Sequence, residues 1–202
     1  MTGPTHRQYS ICFGFLAMML IYSLGMTKIN YYLALLIVLD ASKHGALFPD
    51  LDHHWNNINI NNKTVPSRII NLTIRCTGGT HRSWQTHSID IATWFTAGAF
   101  IIPYLLYKYE LFSLLNKEVL SILWLGFASG WISHLFSDML TSEGVRLFCF
   151  SKKKIKLVPR KIGKLRFNTG NEWEKFVYNV MKKINILLGV LSVMYPILGQ
   201  VV

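Results

Sequence analysis

The sequence predicts an all-α integral membrane helical bundle of four to five transmembrane helices, with a metal site at one membrane face. Of its residues 51% are hydrophobic, the mean hydropathy is +0.30, and the apolar residues come in long blocks. Three polar clusters, all with histidine and two of them with aspartate, break off these blocks: Pro49-Asp50-Leu51-Asp52-His53-His54, His81 to Ser88, and His134-Leu135-Phe136-Ser137-Asp138. Imidazole and carboxylate together suit a divalent ion such as zinc or manganese. At 202 residues the chain is long enough for one domain, 1–202, with a full core.

Five stretches approach the roughly 20 apolar residues that a bilayer requires. The first, Tyr9 to Met26, carries a small-x-small pair at Ser23 and Gly25, as a cleavable leader would. Its upstream flank holds only His6 and Arg7, which favours a retained helix. The second, Ile29 to Phe48, has Asp40, Lys43 and His44 in its last third. Such residues face a protein interior or water-filled cavity, or sit at headgroup level. Ile89 to Tyr107, Val119 to Leu140 and Ile184 to Val202 complete the set, the last spanning or lying along the interface.

Between the second and third stretches runs a polar loop, about 49 to 88, with an Asn-rich run and Gly78-Gly79. A short helix is expected from Ser67 to Arg75, started by Pro66. Asn62-Lys63-Thr64 and Asn71-Leu72-Thr73 fit the glycosylation acceptor pattern, which a cytoplasmic loop would leave unused. A basic loop, about 142 to 183, follows the fourth stretch. Twelve of the 21 Lys and Arg residues lie between Arg146 and Lys183, against two acidic ones. Such charge suits anionic lipid headgroups, phosphate substrates or nucleic acid, and beside membrane segments it favours the lipid reading. Cys12, Cys76 and Cys149 match no metal spacing and no disulfide framework.

With the amino terminus cytoplasmic and all five stretches spanning, eighteen of the 21 basic residues lie inside and three outside. The same orientation places His6 and all three clusters on the cytoplasmic side.

His134 and Asp138 are four apart on an expected helix, so they share a face with Cβ atoms ~6 Å apart. That spacing serves one metal ion or a buried histidine–aspartate hydrogen bond. Asp50 and Asp52 alternate after a proline, so an extended chain aims both to one side, with His53 adjacent; a solvated helix-ending turn reads the same way. His81 and His87 flank Arg82, whose planar guanidinium suits a phosphate oxygen, and Trp84, which suits the membrane interface. Gly130, Ser133 and Ser137 permit close helix packing.

The strings Leu47-Phe48-Pro49-Asp50-Leu51-Asp52-His53, His81-Arg82 through Thr86-His87-Ser88, and Ser133-His134-Leu135 through Asp138-Met139-Leu140-Thr141 with Gly144-Val145 resemble the YdjM family. Its members are inner-membrane, metal-dependent hydrolases. His6 matches the family's amino-terminal histidine, and Thr169-Gly170 with Glu174 resembles its carboxy-terminal motif more loosely. The second motif departs from the family: five residues, not four, separate His81 from His87. The family is distantly similar to zinc-dependent phospholipase C and single-strand nucleases, which implies a phosphoester substrate.

The expected function is therefore a membrane-bound metal-dependent hydrolase of the inner (plasma) membrane, a phosphoesterase acting on an anionic phospholipid or a lipid-linked phosphate. Its metal ligands would come from His6, Asp50, Asp52, His53, His81, His87, His134 and Asp138, with Arg82 and Asp52 in catalysis. A metal transporter would carry the same residues near mid-membrane on several helices. A non-enzymatic partner would close a structural metal with four protein ligands.

Overall fold

A computed structural model describes residues 2–52, 76–78, 84–111, 113–146, 148–158 and 170–198. The described chain is mostly helical: α1 (Gly3–Ser23), α2 (Tyr31–Leu47), a single 3-10 turn (Pro49–Asp52), α3 (Trp84–His87), α4 (Ile89–Lys108), α5 (Leu114–Met139) and α6 (Glu172–Leu198). A small antiparallel hairpin, β1 (Val145–Arg146) with β2 (Lys154–Ile155), interrupts the basic region; its pattern was too short to announce itself in the sequence.

Local chemistry sets the helix limits. Pro4 opens α1, where a missing N–H costs nothing. The helix ends in a Schellman turn: Gly25 takes φ 62°, its N–H donates to the Tyr22 carbonyl, and Met26 N–H donates to Ile21. Asn30 caps α2 by accepting the N–H groups of Tyr32 and Leu33, and Ser113 caps α5 by accepting that of Asn116. Asn171 accepts the Glu174 N–H at the head of α6. That cap starts α6 at Glu172 rather than at Ile184, so Lys175, Lys182 and Lys183 ride on a helix and not in a loop. The expected Ser67–Arg75 helix lies outside the described residues.

Among the described residues, three helices, α4, α5 and α6, are long and apolar enough to cross a membrane. The expected count of four to five spans is not confirmed, because α1 and α2 do not meet that standard. At 17 residues α2 is only about 26 Å long, short of a ~30 Å hydrocarbon core. The outward faces of the long helices are apolar, with Trp94, Ile101, Ile186, Val190 and Ile197 exposed. Such surfaces suit lipid contact.

α5 is the central helix, packed on α1, α2 and α4, while α6 lies against α1. Met18, Val38, Ala34 and Ile122 form the buried core between α1, α2 and α5. The α2–α5 contact is backbone to backbone. A Cβ on Gly130 would strike the Ser42 carbonyl, one on Gly126 would meet Val38, and one on Gly45 would strike Phe127. Gly126 and Gly130 form a small-xxx-small pair that lets two helices close without side chains between them. On the other face of α5, the Trp131 indole donates to the Thr86 carbonyl and Trp124 to Phe95, fastening α3 and α4. This alternation brings the start of α1, the end of α2, the start of α4 and the end of α5 to one end of the bundle.

Candidate metal centre

His6 in the first turns of α1, Asp50 in the 3-10 turn, His87 at the end of α3, and His134 and Asp138 on the last turns of α5 converge there. His6, His134 and Asp138 are fully buried and His87 nearly so, while the Asp50 side chain remains 30% exposed. Ligand-type atoms of His6, Asp50 and His134 lie within 4.8 Å of one another, as do those of His87, His134 and Asp138.

Each imidazole is aimed by an oxygen at Nδ1. His134 Nδ1 is 2.7 Å from the Ala46 carbonyl oxygen, which only accepts, so this nitrogen carries the proton. His6 Nδ1 is 2.7 Å from Ser137 Oγ, whose own hydroxyl donates to the His134 carbonyl, so His6 Nδ1–H is again the donor. His87 Nδ1 lies 2.8 Å from Thr86 Oγ1. In neutral His6 and His134 the Nε2 lone pairs are therefore bare, the form in which histidine binds metal. Burial, reinforced by the neighbouring His134 ring, holds His6 well below its ordinary pKa and keeps it neutral. The His6 and His134 rings stack with centroids 3.8 Å apart, so their nitrogens lie side by side.

The gaps between these atoms have the size expected of a shared ion. His134 Nε2 is 3.5 Å from Asp138 Oδ2 and 3.7 Å from Asp50 Oδ1. His87 Nε2 is 3.7 Å from Asp138 Oδ2, and His6 Nε2 is 3.7 Å from Asp138 Oδ1. All are longer than a normal hydrogen bond of ~2.7–3.2 Å. Two ligand atoms each ~2.1 Å from a tetrahedral zinc stand ~3.4 Å apart. Among the described residues, His6 Nε2 and His134 Nε2 have no hydrogen-bond partner although both are buried. Burying such nitrogens without compensation is costly, and a cation would satisfy both. The donor set fits a divalent metal.

Of the residues picked out in the sequence, His6, Asp50, His87, His134 and Asp138 come together. His53, His81 and Arg82 lie outside the described residues; Asp52 has its backbone in the 3-10 turn, and its side chain is not described. His134 and Asp138, which a buried histidine–aspartate pair would also bring together, stand 3.5 Å apart between Nε2 and Oδ2. Asp40 and His44 do not join the site. They pair across 3.8 Å, both more than 70% exposed, and line a lateral groove of about 390 Å³ with Phe95, Trp124 and Phe127. The orienting roles of Ser137, Thr86 and the Ala46 carbonyl went unread in the sequence. Only the placement of hydroxyl residues inside the histidine clusters hinted at them.

A helical membrane protein with buried histidines and aspartates able to hold a metal ion is the class that fold and site define. The sequence model of the YdjM inner membrane protein family matches residues 1–201, and the chain belongs to that family. No curated protein and no solved structure matches the chain.

Proposed function

We propose that this protein is a membrane-bound metal-dependent hydrolase, a phosphoesterase acting on a lipid or lipid-linked phosphate. The observation that carries the reading is the set of imidazoles whose Nδ1 atoms are held by oxygens while their Nε2 atoms face Asp138 and Asp50 across 3.5–3.7 Å. His6, Asp50, His87, His134 and Asp138 would hold the metal, zinc or manganese, with Asp52, His53 and His81 as further ligands from the sequence. When bound, the ion would supply a Lewis acid that makes water nucleophilic near neutral pH.

The chain's own residues arrange the rest. Ser137, Thr86 and the Ala46 carbonyl fix the rings, so the donor atoms need no reorganisation. Asp50 is the most exposed member of the set, with 30% of its side chain accessible, which supports entry of water and substrate from its side. Arg82 is assigned to the phosphoryl oxygens and Asp52 a part in catalysis, both from the sequence pattern. The positive-inside bias supports a cytoplasmic amino terminus and site. Exposed Lys152, Lys153 and Lys154 beside exposed Phe148 and Phe150 on the hairpin suit an anionic leaflet. What favours this reading over a transporter is that the ligands sit at helix ends and not at mid-helix.

The test is phosphodiester hydrolysis by detergent-purified protein with zinc or manganese, alongside elemental analysis. Turnover is expected to fall at least ~100-fold in His134→Ala and on chelation. Turnover that survives both would remove the mechanism.

A further inference from the structure

The head of α6 meets the head of α1. Helix α1 has no acidic residue in its first turn, and its N-cap residue, Thr2, makes no side-chain capping bond. The missing anion comes from Glu174 on α6, which is only 2% exposed. Its Oε1 accepts the Thr2 backbone N–H and the Thr2 hydroxyl, the latter at 2.8 Å. Its Oε2 accepts the Gly170 N–H at 2.6 Å. A carboxylate here faces the positive end of the α1 dipole. The Thr2 carbonyl in turn accepts the His6 N–H at 3.1 Å, the first hydrogen bond of that helix. An unbroken path therefore runs from Glu174 through Thr2 to the backbone of His6.

We propose that Glu174 is a positioning residue for the metal centre, an anionic cap supplied from α6 that fixes the first turn of α1 and with it the His6 imidazole. The inference rests on the metal-site reading above and assigns Glu174 no contact with the metal or substrate. Small misplacement matters, because His6 must keep both Ser137 at Nδ1 and its 3.7 Å approach to Asp138. Glutamine at 174 would keep the volume, but it offers one acceptor oxygen to three donors and no charge.

The experiment is a double-mutant cycle on zinc affinity, measured by chelator competition with the full chain in detergent. The four proteins are wild type, Glu174→Gln, His6→Ala and the double variant. Glu174→Gln is expected to weaken zinc about 10-fold in the wild-type background. In the His6→Ala background it should change affinity less than ~2-fold, since the path then ends on no ligand. Equal losses in both backgrounds would mean that Glu174 acts through general stability and would overturn the proposal. If His6→Ala weakens zinc and Glu174→Gln does not, only the positioning role falls. If neither changes affinity, His6 is not a ligand and both readings of it fall. Should Glu174→Gln fail to fold, Thr2→Val, which removes one of the three donors and leaves α6 intact, is judged by the same criteria.

Discussion

Replacing Gly130 with alanine tests whether the α2–α5 backbone contact sets the geometry of the metal centre. The added Cβ would overlap the Ser42 carbonyl oxygen and lie 2.7 Å from its carbon and 2.8 Å from Ala46 N, where ordinary contacts begin near 3.4 Å. Relieving the milder contacts alone moves α2 by at least ~0.6 Å, and relieving the overlap by ~1.5 Å. The same α2 segment carries the Ala46 carbonyl that holds His134 Nδ1 at 2.7 Å. Adding ~1.5 Å carries that bond beyond hydrogen-bonding range. Gly130→Ala should therefore cost about 1–3 kcal/mol of stability and about 10-fold in zinc affinity. Gly98 on α4 is the control, because a Cβ there meets Trp124 Cζ2 at an ordinary 3.4 Å. Gly98→Ala should raise stability by about 1 kcal/mol through helix propensity and leave zinc affinity unchanged. Thermal unfolding in detergent and chelator competition read both quantities. If Gly130→Ala matches wild type in both, the close approach of α2 and α5 is not what places His134.

Ser137→Ala removes the acceptor of His6 Nδ1–H and frees the ring to put its proton on Nε2. Zinc affinity should fall 10–100-fold with the bundle still folded; circular dichroism checks the fold, and unchanged affinity would contradict the assigned tautomer. At the end of α4, Glu110 occupies the left-handed region at φ 57°. Glu110→Gly should raise the unfolding temperature in detergent, by about 1 kcal/mol of stability, because glycine carries no Cβ penalty there. A lower melting temperature would show that the Glu110 side chain contributes more than its backbone costs.

The helical class, three of the five apolar blocks and the candidate ligands His6, Asp50, His87, His134 and Asp138 were legible because each signal is local. Apolar run length and the four-residue spacing of His134 and Asp138 act within one helix and follow from the chain's own geometry. Element limits were less legible where a cap decides them, as at Asn171, which starts α6 at Glu172 although the apolar block begins near Ile184. The small-residue signal at Gly130 was readable, but its partner was not: nothing in the sequence says that Gly130 meets the Ser42 carbonyl.

By itself the sequence determined that this chain is helical, membrane-directed and supplied with imidazole and carboxylate at the ends of its apolar blocks. Only the tertiary structure decided that residues 6, 50, 87, 134 and 138 share one chamber while Asp40 and His44 do not. It also decided which ring nitrogen of His6 and His134 carries the proton. Periodicity fixes a side chain's direction on its own helix. Its neighbours depend on how closely the helices approach, and its tautomer depends on the oxygen that approach delivers.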